Sequence, residues 1–284
     1  MPELPEVEIL VRHLAPLITN KKITDVEIRR SKVLAPTTAS DLEEALTGAR
    51  FTHLSRRGKY LLFFLKSPRM QCPLQLLGHL GMTGRMYLLP KNAGLPKHAA
   101  VILGLGRERF VFEDTRYFGR FTLDTRSLAA LGPEPWSPEF TDEYFHHALK
   151  RSTQPVKVKL LDQSLVAGVG NIYASEALYR AGISPKLSSR KIKPIQAKHL
   201  RKAIQEVLEQ AIQCGSTLPL DFVGIEGKNG HFYYGSAGDS SEFYQERLLV
   251  YDRLGQSCGK CGAGIKRFVQ AARSTFYCPR CQRA

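Results

Sequence analysis

The stretch CGKCGAGIKRFVQAARSTFYCPRC, residues 258–281, decides how the C-terminal part of this 284-residue chain is organised. Its four cysteines form two C-x-x-C pairs 16 residues apart, the spacing with which a zinc ribbon places four thiolates around a tetrahedral ion. Four protein ligands close the coordination shell, so the spacing predicts one structural Zn²⁺ held by Cys258, Cys261, Cys278 and Cys281. Two disulfides are the alternative, and they fit poorly with a cytosolic chain.

The charge of this ribbon agrees with that of the whole chain. Residues 255–284 contain six Lys or Arg and no acid, and the chain has 41 Lys and Arg against 26 Asp and Glu, a formal net charge of +15. Such a charge favours a polyanionic partner, either nucleic acid or an anionic membrane surface. No stretch approaches the roughly 18 apolar residues of a spanning helix, and the acidic start is unlike a signal peptide. We therefore expect a cytoplasmic protein without a membrane segment.

Outward from the ribbon, the chain changes character at the Pro-rich segment 131–138. Before it, an amphipathic helix in the first fifteen residues precedes β-rich stretches, which predict an antiparallel sandwich or barrel. These predicted strands cover residues 23–29, 60–65, 84–89, 100–105 and 109–113. After the segment, helical periodicity predicts helices over 141–150, 156–166, 171–180 and 195–213, with a tight turn at 167–170. We therefore expect an α+β chain with domains at 1–132, 133–245 and 246–284.

The N-terminus carries a possible nucleophile. Pro2 becomes the first residue once the initiator methionine is removed, and its secondary amine can condense with an aldehyde to a cationic iminium, an electron sink for elimination. An α-amino group has a pKa of about 7.7–8 against about 10.4 for lysine, so much more of it is neutral at pH 7. Glu3 and Glu6 are candidates for general acid or base. An ordinary solvated start is the alternative.

Five motifs, in order from end to end, together resemble formamidopyrimidine-DNA glycosylases. They are PELPEVE (2–8), RGKYL (57–61), HLGM (79–82), AGVGNIYA (167–174) and RSTFYCPRCQ (273–282). The resemblance implies a base-excision-repair enzyme that removes 8-oxoguanine and formamidopyrimidines from damaged double-stranded DNA and cuts the strand by β,δ-elimination. It also implies an N-terminal β-sandwich with the catalytic N-terminal helix, then a helix-two-turn-helix domain and the zinc finger. No obligate protein partner is expected, and a monomer would suffice.

The resemblance assigns the chemistry to four residues. Pro2 would attack C1′ of the damaged nucleotide and form the Schiff base, with Glu3 as the proton donor in that step. Lys59 would donate a proton for β-elimination and contact phosphate, and Arg273 would serve δ-elimination. The alternatives are that Lys59 is a surface cation in a basic turn and that Arg273 is one of six finger charges.

The resemblance also implies a set of DNA contacts. A nucleotide that leaves the stack leaves a gap, and Met82, Arg116 and Phe118 match the family's wedge, its partner for the orphaned cytosine and its kink-holding ring. Phosphate contacts are implied for Lys59, His79, Asn171 and Arg273, and further DNA contacts for Glu6, His98, Arg151 and Lys157. The Asn171 side chain either caps its helix or binds phosphate. The glycines before it are not a dinucleotide fingerprint, because they follow a helix and the third glycine is missing.

Two departures from the family pattern are visible. Thr115 and Tyr117 stand where the family more often has Pro and a second basic residue, and the Gly-rich segment 224–242, where the family has a lid, is longer than usual. Two alternative functions stay open. One is an endonuclease VIII-like glycosylase for oxidised pyrimidines, whose start usually has Gly where this chain has Leu4. The other is a non-catalytic zinc-ribbon DNA-binding protein.

Overall fold

The computed structural model describes residues 2–70, 72–214 and 248–283. The predicted lid at 224–242 lies outside the described residues. Within those residues no helix has the length and apolar character needed to cross a membrane. The chain forms two compact units: of the described residues, unit 1 contains Pro2 and those between 6 and 129, and unit 2 contains residues 3–5, 130–214 and 248–283.

Unit 1 is a sandwich of two four-stranded antiparallel sheets, which confirms the expected sandwich and excludes the barrel. One sheet has the order β1-β6-β7-β5 and the other β2-β3-β4-β8. The elements are α1 (Leu4–Ile18), β1 (Asp25–Ile28), a 3-10 turn (Ser31–Leu34), α2 (Ala39–Leu46), β2 (Arg50–Arg57), β3 (Tyr60–Lys66), β4 (Leu74–His79), β5 (Gly84–Pro90), β6 (Ala99–Gly104), β7 (Glu108–Asp114), β8 (Arg120–Thr122) and a 3-10 turn (Arg126–Ala130). Helix α1 contributes its first two residues to unit 2 and the rest to unit 1.

Aromatic side chains join the two sheets of unit 1. Phe63 on β3 lies 5.7 Å from Phe110 on β7, ring centroid to centroid, and 5.8 Å from Phe121 on β8, both in edge-on contact. All three rings are fully buried. Edge-to-face aromatic contacts add to the free energy gained by burying apolar surface. This cluster therefore fixes one sheet against the other.

Two corner loops, residues 80–83 and 115–119, cross side by side from one sheet to the other. The first joins β4 to β5 and the second joins β7 to β8, while β5 pairs with β7 and β4 with β8. Their backbones touch: Gly81 has φ +61°, and a Cβ there would lie 2.6 Å from the Gly119 nitrogen. Only glycine fits a positive φ with backbone so close.

Unit 2 combines a helical part with a metal-binding hairpin. Its elements are α3 (Asp142–Lys150), α4 (Val156–Leu160), α5 (Asn171–Arg180), a 3-10 turn (Ser189–Lys191), α6 (Pro194–Gln213), β9 (Lys266–Gln270) and β10 (Arg273–Tyr277). The buried stripe of α6 packs with α3 and α5 in one apolar core. A smaller core, built on Tyr179, Val250 and Phe276, carries the cysteines of the hairpin.

The structure corrects several predicted boundaries. Helix α4 ends at Leu160 instead of 166, and α1 continues past Pro16 to Ile18. The elements that the sequence pattern did not indicate include α2, β2, β4 and β8. The predicted strands at 60–65, 84–89, 100–105 and 109–113 agree with β3, β5, β6 and β7 to within one residue.

We expect Phe63→Ala to destabilise the protein by about 3–5 kcal/mol, because it removes the ring that touches both sheets and leaves a cavity. Phe64→Ala is the matched control, since the neighbouring ring is only partly buried on the other face of β3. The control should cost less than about 1 kcal/mol. Urea unfolding followed by circular dichroism measures both; equal losses for the two variants would contradict the assigned core.

Candidate functional site

The carboxylate of Glu3 is held at the first turn of α5. Its Oε1 accepts a hydrogen bond from the Ile172 nitrogen at 2.9 Å and its Oε2 one from the Tyr173 nitrogen at 3.4 Å. A helix N-terminus offers such unpaired N–H groups and a favourable field for a negative charge. Gly170 is required beside it, because a Cβ there would lie 2.3 Å from the Glu3 carboxyl carbon. The side chain is therefore fixed in one place, directly after Pro2 in the chain.

This arrangement settles how α5 begins. The N-cap residue is Gly170, which has no side chain that could cap the helix. The option that Asn171 caps the helix is therefore wrong, because Glu3 takes those N–H groups. The backbone is fixed as well, since the Leu4 nitrogen donates to the Gly168 oxygen at 3.1 Å.

Pro2 and Glu6 belong to unit 1 and are both buried. Glu6 lies in the first turn of α1, and its exposed fraction is zero. A carboxylate in that turn interacts favourably with the helix dipole. Glu6 is thus close in sequence to the candidate amine, and in this structure it is not a surface group.

The side chain of Lys157 is buried within unit 2. Its Nζ donates to Asn171 Oδ1 at 2.6 Å, to the Ser274 oxygen at 3.0 Å and to Thr275 Oγ1 at 2.8 Å. Burial, opposed by the charge of Glu3 and assisted by the charge of Arg273, lowers the pKa of Lys157 to about 8. Three acceptors use all three protons of an ammonium group. The predicted DNA contact is therefore, in this structure, a buried tie between α4, α5 and the hairpin.

The hydrogen bond from Lys157 also holds the Asn171 side chain next to the hairpin. Asn171 Nδ2 donates to the Ser274 oxygen at 3.0 Å, one residue from Arg273. Arg273 itself is exposed at the start of β10. Unit 2 thus brings together three of the predicted residues, Lys157, Asn171 and Arg273. Arg151 stands apart at the C-cap of α3 and is exposed.

Unit 1 contains the other two predicted phosphate contacts, Lys59 and His79. Lys59 lies in the turn between β2 and β3 and is 8% exposed, and the next residue, Tyr60, pairs with His79 on β4. Burial, and then the charges of Lys59 and Arg120, lower the pKa of His79 to about 4. The Gly81 nitrogen donates to His79 Nδ1 at 3.0 Å. The neutral ring therefore carries its proton on Nε2, as a hydrogen-bond donor.

The corner loops carry the three predicted wedge residues. Met82 is 43% exposed on the first loop and Phe118 is 49% exposed on the second. The Arg116 guanidinium lies over the Phe118 ring at 4.8 Å from the centroid, a cation–π contact. The structure thus presents an apolar side chain, a guanidinium and an aromatic ring together on one exposed corner.

Tyr117, which departs from the family pattern, is in contact with a basic residue, Arg30. Tyr117 has φ +54°, its hydroxyl accepts from Arg30 Nε at 3.2 Å, and it lies 3.5 Å from His98 Nδ1. The Arg30 guanidinium also lies over the Tyr117 ring. Sequence reasoning missed Arg30, since it is distant along the chain and no motif includes it. A cation thus stands beside the position where the family more often has a basic residue.

The four cysteines fit one tetrahedral zinc ion. Their Sγ atoms all lie within 4.8 Å of one another, with Cys258 to Cys281 at 3.8 Å and Cys261 to Cys278 at 3.4 Å. Four Zn–S bonds of about 2.3 Å place sulfurs roughly 3.8 Å apart. The Tyr179 hydroxyl lies 3.1 Å from Cys258 Sγ and connects α5 to this cluster. The cluster is a structural zinc site.

We expect the His79 ring to stay neutral, with its proton on Nε2, from pH 8 down to about pH 5. The unfolded imidazole binds a proton below about pH 6.5 and the folded one does not, so His79 makes stability fall as the pH drops from 6.5 toward 4. Nitrogen-15 NMR of the ring, assigned with His79→Gln, measures the first effect. A ring that titrates near pH 6.5 would contradict the environment described.

We expect Cys278→Ser to lose the bound metal, because three thiolates and a hydroxyl no longer form the closed site. Cys214→Ser is the control, since Cys214 lies at the end of α6, outside the cluster. Metal content by mass spectrometry should fall from one zinc per chain to near zero in the first variant only. Retention of a full equivalent by Cys278→Ser would exclude this cluster as the zinc site.

Comparison with known proteins covers the whole chain. Residues 1–121 match the formamidopyrimidine-DNA glycosylase N-terminal domain, residues 131–220 the H2TH domain of that enzyme, and residues 255–284 the zinc finger found in FPG and IleRS. A formamidopyrimidine-DNA glycosylase of Carboxydothermus hydrogenoformans is 38% identical over 283 residues, which cover 100% of both chains.

Solved structures with the same architecture have been determined with DNA. Lactococcus lactis Fpg bound to DNA containing N7-benzyl-Fapy-dG superimposes with a TM-score of 0.86 at 32% identity over 100% of both chains. The same protein bound to DNA containing an oxidised pyrimidine gives the same three values. Sequence and fold agree along the full length, and the chain therefore belongs to the formamidopyrimidine-DNA glycosylase family.

Proposed function

We propose that this chain is a bifunctional DNA glycosylase and AP lyase of base excision repair, acting on formamidopyrimidines and 8-oxoguanine in damaged duplex DNA. The observation that carries the proposal is the position of Glu3, whose carboxylate is fixed on two N–H groups of α5. That anchor fixes the chain immediately after Pro2. It gives a candidate nucleophile and a candidate acid in adjacent residues.

The first step uses the amine of Pro2. Its lone pair forms a bond to C1′, the bond from C1′ to the base breaks, and the base leaves with the electron pair. The attack leaves the amine proton on a positively charged nitrogen; Glu3 takes this proton and donates it to the sugar ring oxygen, the ring opens, and nitrogen and C1′ form a cationic iminium. The departed base takes up a proton from water. Glu6, fully buried in the first turn of α1, is part of the proposal as a general acid or base close to the amine and as a contact to the DNA at the reacting nucleotide.

The later steps remove two protons and break two C–O bonds. The iminium acidifies the C2′ proton, and its loss expels the 3′ phosphate; a second elimination expels the 5′ phosphate. Lys59 assists the first elimination and Arg273 the second. Lys59 suits a proton-transfer role because it is nearly buried and lies beside His79.

DNA phosphates are bound by residues of both units. Unit 1 supplies Lys59 and the Nε2 proton of His79, and unit 2 supplies Asn171 and Arg273. Each phosphate neutralised releases counterions, so affinity falls steeply with salt. Arg116 pairs with the orphaned cytosine while Met82 and Phe118 fill the gap, and His98 and Arg151 contact the backbone. Lys157 acts through Asn171, which it orients.

The protein we propose is a three-domain monomer. We place domain boundaries at 132/133 and 245/246, and we expect a monomer in the bacterial cytoplasm, because its substrate is chromosomal DNA. Three domains of this kind suffice for binding and for chemistry without a partner protein.

Borohydride trapping tests the chemistry. Protein with Pro2 at its N-terminus should form a covalent adduct with a duplex that contains 8-oxoguanine opposite cytosine. Glu3→Gln should lower the rate of base removal about a hundredfold or more, because it cannot donate the proton. Glu8→Gln, which changes a carboxylate on the same helix that pairs with Arg12 and Arg56, is the control. The absence of any adduct from protein with a free Pro2 amine would contradict the proposal that the protein is an enzyme.

A second duplex separates the two glycosylase proposals. The Lactococcus lactis structure with oxidised-pyrimidine DNA makes that lesion class the relevant comparison. Initial cleavage rates on 8-oxoguanine and on an oxidised pyrimidine, at equal protein concentration, decide the preference. A faster rate on the pyrimidine would replace the purine proposal. Binding without cleavage of either duplex would favour the non-catalytic DNA-binding protein.

A further inference from the structure

A carboxylate that none of the proposed chemistry uses lies fully buried at the end of β7. Asp114 has an exposed fraction of zero. Its Oδ1 accepts from Thr83 Oγ1 at 2.6 Å and from the Arg116 nitrogen at 3.1 Å, and its Oδ2 accepts from the Gly119 nitrogen at 2.8 Å. A buried carboxylate is costly unless it is hydrogen-bonded, and here at least three donors converge on it.

These three donors come from both corner loops. Thr83 is the neighbour of Met82 on the first loop, and Arg116 and Gly119 bracket Phe118 on the second. The strands on either side are paired in register, Gly84 with Asp114 and His79 with Arg120. One side chain therefore bonds both loops at the point where they leave the sheets.

The two corner loops are packed so closely that one cannot move without the other. A Cβ on Gly81 would lie 2.7 Å from the Phe118 carbonyl carbon, and a Cβ on Gly119 would lie 2.7 Å from the His79 oxygen. Close backbone contact transmits a shift of either loop to the other. The hydrogen bonds of the carboxylate then fix which relative position the two loops take.

We propose that Asp114 is a positioning residue that makes Met82, Arg116 and Phe118 one preassembled wedge. The inference rests on the proposed function in one respect, that these three side chains enter the gap left by an extruded nucleotide. Insertion of a preassembled wedge requires no ordering of separate loops when DNA binds, which lowers the entropic cost of opening the stack. Asp114 itself touches no DNA.

The test measures unstacking without chemistry. The DNA is a duplex with a tetrahydrofuran abasic analogue opposite cytosine and with 2-aminopurine next to that cytosine. Wild-type protein should change the 2-aminopurine fluorescence as the wedge enters the stack. Asp114→Asn and Thr83→Val should each lower that change by half or more at saturating protein. Thr83→Ser, which keeps the hydroxyl, should restore it.

Two controls define the result. Thr115→Val changes an exposed residue of the same loop and should behave as wild type. Met82→Ala removes the wedge side chain directly, and the double variant with Asp114→Asn should lose less than the sum of the two single losses, as residues that act together do. Additive losses, or an unchanged fluorescence response in both Asp114→Asn and Thr83→Val, would overturn the proposal.

A merely structural role gives a different pattern. It would lower activity equally on a normal duplex and on one that carries a single-nucleotide gap opposite 8-oxoguanine. The positioning role predicts about tenfold slower excision by Thr83→Val on the normal duplex and near wild-type excision on the gapped one. Equal losses on both substrates count against it. If wild type gives the fluorescence change and no borohydride adduct, the proposed function fails and the wedge assignment stands.

Discussion

The binding of the Glu3 carboxylate by the first turn of α5 is the constraint on which the proposed site depends. A chain terminus ordinarily frays, because few contacts offset its conformational entropy. Here a side chain only one residue beyond Pro2 accepts two backbone hydrogen bonds, and the next residue donates a third to Gly168. The absence of a side chain at Gly170 makes the approach possible. Order at the terminus is thus supplied by a helix more than 160 residues away in sequence.

A second buried charge connects the helical part of unit 2 with its hairpin. The Lys157 ammonium lies in surroundings that lower its pKa to about 8, and three acceptors offset part of the cost of burying it. Removal of the ammonium would take one donor from each of those acceptors, and a buried polar group that loses a partner carries a free-energy cost. Together with the contact between Tyr179 and Cys258, these bonds tie the metal hairpin to α4 and α5.

Features set by covalent spacing or by regular periodicity were predictable from the sequence. The cysteine pairs, α5, α6 and strands β3, β5, β6 and β7 are of this kind. Strand β2 was missed because a register shift between Phe51 and His53 breaks the alternation that identifies strands. Helix α4 was predicted too long because Asp162, beyond Leu160, bonds the nitrogen and hydroxyl of Ser164 and forms a turn. The buried position of Lys157 depends on Ser274 and Thr275, which are more than 100 residues away in the chain. The contacts of Asp114 depend on Thr83 in another loop, and no sequence motif specifies that pairing.

The proposed role of the Pro2 amine has a consequence for how the protein matures. In the chain as translated, the nitrogen of Pro2 belongs to the peptide bond with Met1, and an amide nitrogen has no free lone pair for attack. With Pro2 as the proposed nucleophile, every newly made molecule is a precursor whose reactive group is blocked. A single irreversible cleavage converts it to the active form. An N-terminal fusion would hold the nitrogen of Pro2 permanently in a peptide bond.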